Sequence, residues 1–134
     1  MAKLIIPQYI FDEMLAHCRE GLPDEACGIL AGRGNEVSHI YLMTNAERSP
    51  VSYLMDSGEQ FRVMRDLREL NLSMVAIFHS HPASAPYPSH KDVSLAFYED
   101  SFYVIVGLTE ETPVVKAFSI KDGAVKEIEI RTEA

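Results

Sequence analysis

Apolar positions along the chain switch between a helical spacing and an alternating or continuous one, and each switch predicts an element. Over residues 7–20, Ile10, Phe11, Met14, Leu15 and Cys18 fall on one helix face, with Pro7 suited to the first turn and Gly21 to the stop. The apolar run ACGILAG, the turn GRGN and the run VSHIYLM predict a β-hairpin. TNAERSPVSYLMD reads as a loop. Ser57 and Gln60 stand at capping-box spacing and open a second helix running to Leu70, with Phe61, Met64 and Leu67 inward. SMVAIFHSH is apolar on both faces and predicts a central strand. A third helix is expected over 90–98, then the strand FYVIVGL, then a hairpin turning at Asp122-Gly123. The order predicts one α/β domain over residues 1–134, a single mixed sheet flanked by helices.

Composition narrows the partners more than the fold. At 47% apolar and 24% charged residues the chain has a globular balance, and no apolar run approaches the ~20 residues that span a bilayer. The first residues lack a small-residue cleavage site, so a cytoplasmic protein with no membrane partner is expected. The net charge of −8, with twelve scattered basic residues against twenty acidic ones, argues against nucleic acid and acidic membranes. Cys18 and Cys27 form no CxxC and suggest no disulfide framework.

The chemistry concentrates in HSHPASAPYPSHKD, residues 79–92. Side chains two apart on a strand share a face, so His79 and His81 point together while Ser80 turns away. Two imidazoles at the end of a buried strand are half of a zinc site. The proline-rich loop PASAPYP is stiff and delivers SHKD to a helix start, where Asp92 would complete a His-His-Asp set and leave a fourth position for water. Ser89 and Asp92 also have the spacing of a plain capping box. Zinc is inferred from the ligand types, and iron or cobalt suits the same donors. An acidic residue is needed as base. Glu25, just before ACGILAG, is a candidate at the sheet edge, although a solvent-exposed loop glutamate is the blander reading.

The spacing H-x-H-x7-S-x2-D, with Glu25 upstream, resembles the signature of the JAMM (MPN+) zinc metallopeptidases. PDEACGILAG, MTNAERSP and DSGEQ are similar to the small bacterial branch with a mycobacterial member acting on a sulfur-carrier protein–cysteine adduct. The resemblance implies a cytidine-deaminase-like fold with one zinc ion and a water held by His79, His81 and Asp92. It implies Glu25 as general base and then acid, and Ser89 as donor to the oxyanion. The implied partner is a ubiquitin-like sulfur carrier ending in Gly-Gly, and the implied reaction is hydrolysis that releases cysteine; a homodimer is left open.

Other readings remain beside this one. The same chemistry would remove a ubiquitin-like modifier from protein lysines, and a non-catalytic adaptor would only bind a ubiquitin-fold partner. Zinc deaminase chemistry is disfavoured because there is no H-x-E with P-C-x-x-C. Cys27 is read as a small buried hydrophobe rather than a ligand, and His90 as an exposed first-turn residue. His17 and His39 are read as structural or surface residues. Asn45 and Ser49 are candidates either for contact with the substrate tail or for turn formation alone.

Overall fold

In the computed structural model, which describes residues 2–134, the elements run β1 (Lys3–Pro7), α1 (Gln8–Glu20), β2 (Cys27–Arg33), β3 (Glu36–Met43), α2 (Ser57–Leu70), β4 (Ser73–His81), α3 (His90–Ser94), β5 (Phe102–Gly107), β6 (Val114–Lys121) and β7 (Ala124–Glu133). The strands form one mixed sheet in the order β1-β3-β2-β4-β5-β6-β7, closed by parallel pairing of β1 with β7. Strand β4 lies between antiparallel β2 and parallel β5, as its two-sided apolar pattern predicts.

Both faces of the central strands are buried, each under its own helix. On one side Leu4, Ile6, Phe78 and Val104 pack with Ile10 and Met14 of α1. On the other Ile29, Ile77, Ile105 and Phe118 pack with Val63 and Leu67 of α2. The Phe78 ring is the largest wholly buried side chain on β4, and it lies across Gly28 of β2. A Cβ at Gly28 would meet that ring at 2.2 Å and the Tyr41 carbonyl oxygen at 2.6 Å, so only glycine fits. The β6–β7 hairpin turns where predicted, with positive φ at Asp122 (51°) and Gly123 (79°), the conformation of a primed two-residue turn.

Four local expectations need correction. Strand β1 was not predicted, because its short KLIIP run ends in the proline that starts the helix. Asp56, not Ser57, caps α2, its carboxylate accepting the Glu59 N–H at 2.9 Å. Phe61 is 68% exposed rather than inward, because Val63 and Leu67 face the sheet and a residue two positions from Val63 lies on the far side of the helix. Helix α3 stops at Ser94 rather than 98; it buries none of its residues and has no packed face to extend it. No helix among the described residues is long and apolar enough to cross a membrane.

Candidate functional site

The C-terminal end of β4 turns the strand alternation into a polar cluster. Ile77, His79 and His81 lie on the α2 side, with His79 only 1% and His81 4% exposed. Ser80 faces the other way and is used there: its N–H donates to the Ala26 carbonyl (3.0 Å) and its Oγ accepts the Ala26 N–H (2.8 Å). The following loop is pinned where Pro86 packs against Gly107 of β5; a Cβ at Gly107 would meet the proline ring at 2.9 Å. The Leu108 N–H donates to the His81 carbonyl at 3.1 Å.

Helix α3 then opens with the full capping box: Ser89 Oγ accepts the Asp92 N–H at 3.0 Å, and Asp92 Oδ2 accepts the Ser89 N–H at 2.9 Å. The cap and the candidate ligand are therefore the same feature. The reciprocal bonds fix the Asp92 carboxylate so that Oδ2 lies 3.2 Å from His79 Nε2 and 3.0 Å from His81 Nε2, with the two imidazole nitrogens 3.1 Å apart.

These donors suit a small cation. His81 Nδ1 lies 2.8 Å from the Ala85 carbonyl oxygen and donates to it, so a neutral His81 turns a lone pair from Nε2 towards an oxygen that is itself an acceptor. A tetrahedral ion with ligands at ~2.0–2.1 Å has edges of about 3.3 Å, close to the observed separations. The donor set of two imidazoles and a carboxylate fits zinc. Without a cation, burial disfavours the charged form of His79 and lowers its pKa. Burial acts on His81 in the same sense, but the Asp92 and Ala85 oxygens outweigh it and raise its pKa. The Asp92 carboxyl is driven up by burial, yet the two imidazoles and the Ser89 N–H hold it well below the usual carboxylate range. His79 Nδ1 is buried with no hydrogen-bond partner among the described residues. The Tyr53 ring stacks on this imidazole with centroids 4.6 Å apart, and it orients His79 where an acceptor would ordinarily do so.

Glu25 joins this face through strand register. Cys27 pairs with His79, and the Ala26–Ser80 bonds carry the pairing one residue further, which sets Glu25 opposite His81. The side chain is 5% exposed, so the solvent-exposed reading fails. Burial pushes its pKa up to about 7, against a lowering by His81, and Oε1 has no hydrogen-bond partner among the described residues. Its backbone is clamped by the 44–56 loop, the Ser49 carbonyl accepting its N–H at 2.8 Å and the Asn45 amide donating to its carbonyl at 2.9 Å.

Asn45 also donates to Ser52 O and accepts from Glu47 N–H and Leu54 N–H, which occupies the whole side-chain amide. These bonds hold the loop. Ser49 Oγ accepts the Val51 N–H, a turn contact. Cys27 is buried, and burial pushes its thiol up to about 12, the behaviour of a small hydrophobe. His17 reaches the Cys27 carbonyl, His39 bonds Ser38 and His90 is exposed. Ser80 and Tyr53 were missed as positioning residues. Ser80 read only as the residue turned away, and Tyr53 lay in a loop without periodicity.

Residues 7–121 match the family of prokaryotic homologues of the JAB domain. The chain is 43% identical over 127 residues to the CysO-cysteine peptidase of Mycobacterium tuberculosis, covering 92% of this chain and 87% of that one. It is 34% identical over 121 residues to a probable TtuB-protein conjugate cleaving protease of Thermus thermophilus, covering 90% and 78%. Among solved structures, protein DSY2949 of Desulfitobacterium hafniense superposes with a TM-score of 0.87 at 40% identity, over 97% of this chain and 92% of that one.

Proposed function

The chain belongs to the prokaryotic JAB family of JAMM-type peptidases and is a hydrolytic enzyme, and from that premise we propose that it cleaves the amide joining the C-terminal glycine of a ubiquitin-like sulfur carrier to cysteine. The observation that carries the reading is the convergence of His79, His81 and Asp92 donor atoms on the face that also bears the buried Glu25. The 43% relative, named as a CysO-cysteine peptidase, supports this choice of substrate. A cytoplasmic setting belongs to the same reading.

Zinc held by His79, His81 and Asp92 would supply Lewis acidity, which acidifies water and polarises a carbonyl oxygen. Glu25, buried beside the ligand cluster, takes the proton of the attacking water at its carboxylate and hands it to the departing amine nitrogen. Ser89 Oγ already accepts the Asp92 N–H, which leaves the hydroxyl hydrogen for the oxygen where negative charge develops. A carrier ending in Gly-Gly brings little side-chain bulk to this buried centre. The attack adds one water across the amide and releases free cysteine and the carrier's terminal carboxylate.

Intact-mass spectrometry of a Gly-Gly-ending carrier bearing a C-terminal cysteine, after incubation with the zinc-loaded protein, tests the reading. Loss of one cysteine residue, abolished by a chelator, is expected. An unchanged adduct in the presence of bound zinc would overturn the substrate assignment. The Thermus relative's description favours a second reading, removal of a ubiquitin-like modifier from protein. A lysine-linked conjugate assayed in parallel separates the two. The complete ligand set beside a buried carboxylate speaks against a purely binding role.

A further inference from the structure

Beside Asp92 lies a cleft of about 200 Å³, the room of roughly six or seven water molecules, which suits one amino acid rather than a folded protein. Its wall is mainly apolar, and Leu54, Leu95 and Phe97 stand 57%, 45% and 74% exposed at the rim. Among the residues that line it, Lys91 is the one cation. Asp92 and Tyr53 are shared with the ligand cluster, and Leu54, Lys91, Leu95 and Phe97 have no part in the chemistry assigned to His79, His81, Asp92, Glu25 and Ser89.

Lys91 has a defined place relative to that chemistry. Its Nζ lies 3.3 Å from Glu47 Oε1, and the Ser52 hydroxyl donates to the same carboxylate at 2.6 Å. This pair ties α3 to the 44–56 loop, whose Asn45 and Ser49 clamp the Glu25 backbone. Lys91 therefore stands on the Glu25 side of the ligand cluster. The departing amine must lie on that side too, because it takes its proton from Glu25. In an amino acid attached through its α-amine, the carboxylate sits one carbon from the departing nitrogen. In a lysine side chain of a protein, the departing nitrogen has no carboxylate near it. An ammonium has three donors, so the contact with Glu47 leaves two.

Resting on the peptidase reading above, we propose that Lys91 binds the free α-carboxylate of the leaving amino acid, whose side chain enters the apolar cleft. Lys91 is then a specificity residue. It selects a single residue added to a carrier's C-terminus over a modifier linked to lysine, and Glu47 holds it at the mouth between turnovers.

The test compares kcat/KM of the zinc-loaded protein on two forms of one adduct, a Gly-Gly-ending carrier with a C-terminal cysteine as free acid or as carboxamide. Wild type is expected to prefer the acid about tenfold to a hundredfold, the worth of a charge-assisted hydrogen bond. Lys91→Met is expected to lower the acid rate to the amide rate, and Lys91→Arg to keep the preference. Any indirect effect of the substitution on Glu25 acts on both substrates alike and cancels in the ratio. Equal wild-type rates on acid and amide, or a preference that survives in Lys91→Met, would overturn the proposal and leave the peptidase reading standing. Cleavage of neither form by zinc-loaded wild type would overturn both.

Discussion

The two faces of β4 carry alternate residues of one strand and behave as two different materials. On the α1 side Ala76, Phe78 and Ser80 are wholly buried, the apolar pair sealed in the core and the serine bonded through both Oγ and N–H to Ala26. On the α2 side Ile77 gives way to His79 and His81, with an unpartnered Nδ1, an unpartnered Glu25 Oε1 and three acceptor-capable atoms turned on one another. On the first face no buried side-chain nitrogen or oxygen among the described residues lacks a partner. The other holds two buried polar atoms with no hydrogen-bond partner among the described residues, an arrangement that costs stability. The difference teaches where substitutions act: on the first face they lower stability, and on the second they lower turnover and can raise stability.

Glu25→Gln should break the symmetry most sharply. Turnover is expected to fall about 10²- to 10⁴-fold with zinc retained, measured by initial rates and metal content. The folded-state pKa of about 7 lies above the ordinary 4.5, so the folded protein holds the proton longer than the unfolded chain. The stability this carboxyl contributes is full below about pH 4.5 and is lost as pH rises through 7. Glutamine removes that loss, and the chelated variant should be more stable than wild type by about 1–3 kcal/mol near pH 8, with little gain near pH 4. Denaturant unfolding at the two pH values checks this, and a gain flat with pH would contradict it.

On the opposite face the expectation reverses. Phe78→Ala should destabilise by about 3–5 kcal/mol, the cost of emptying a fully packed aromatic site, while the folded fraction still takes up zinc. Calorimetry and metal titration below the melting range distinguish this from an effect on the ligands. Ser80→Ala gives the smallest effect and tests the seam between the faces. It leaves the buried Ala26 N–H without its side-chain acceptor and should cost about 1–3 kcal/mol. Because Ala26 adjoins Glu25, it should also slow turnover several-fold, and an unchanged kcat would show that the seam does not position the base.

Much of this is legible in the sequence alone. The HxH pair, the capping box and the Asp122-Gly123 turn depend on residues close in sequence, whose relative directions follow from backbone geometry alone. The same locality explains the differences: the helical period places α2 but not its buried face at Phe61, and it overextends α3, because the side a helix buries is set by what lies across from it. KLIIP is a strand because β7, from the far end of the chain, and β3 at Ile5 both offer it parallel partners.

For the site, the sequence by itself determined the candidate ligand types, the shared face of the two histidines and the cap that aims Asp92. Only the tertiary structure decided that Glu25 is a buried carboxylate opposite His81, that Asn45 holds the loop beneath it, and that Tyr53 orients His79. Those facts depend on the register between β2 and β4 and on a loop folding back over the sheet, contacts between residues tens of positions apart that no local period records.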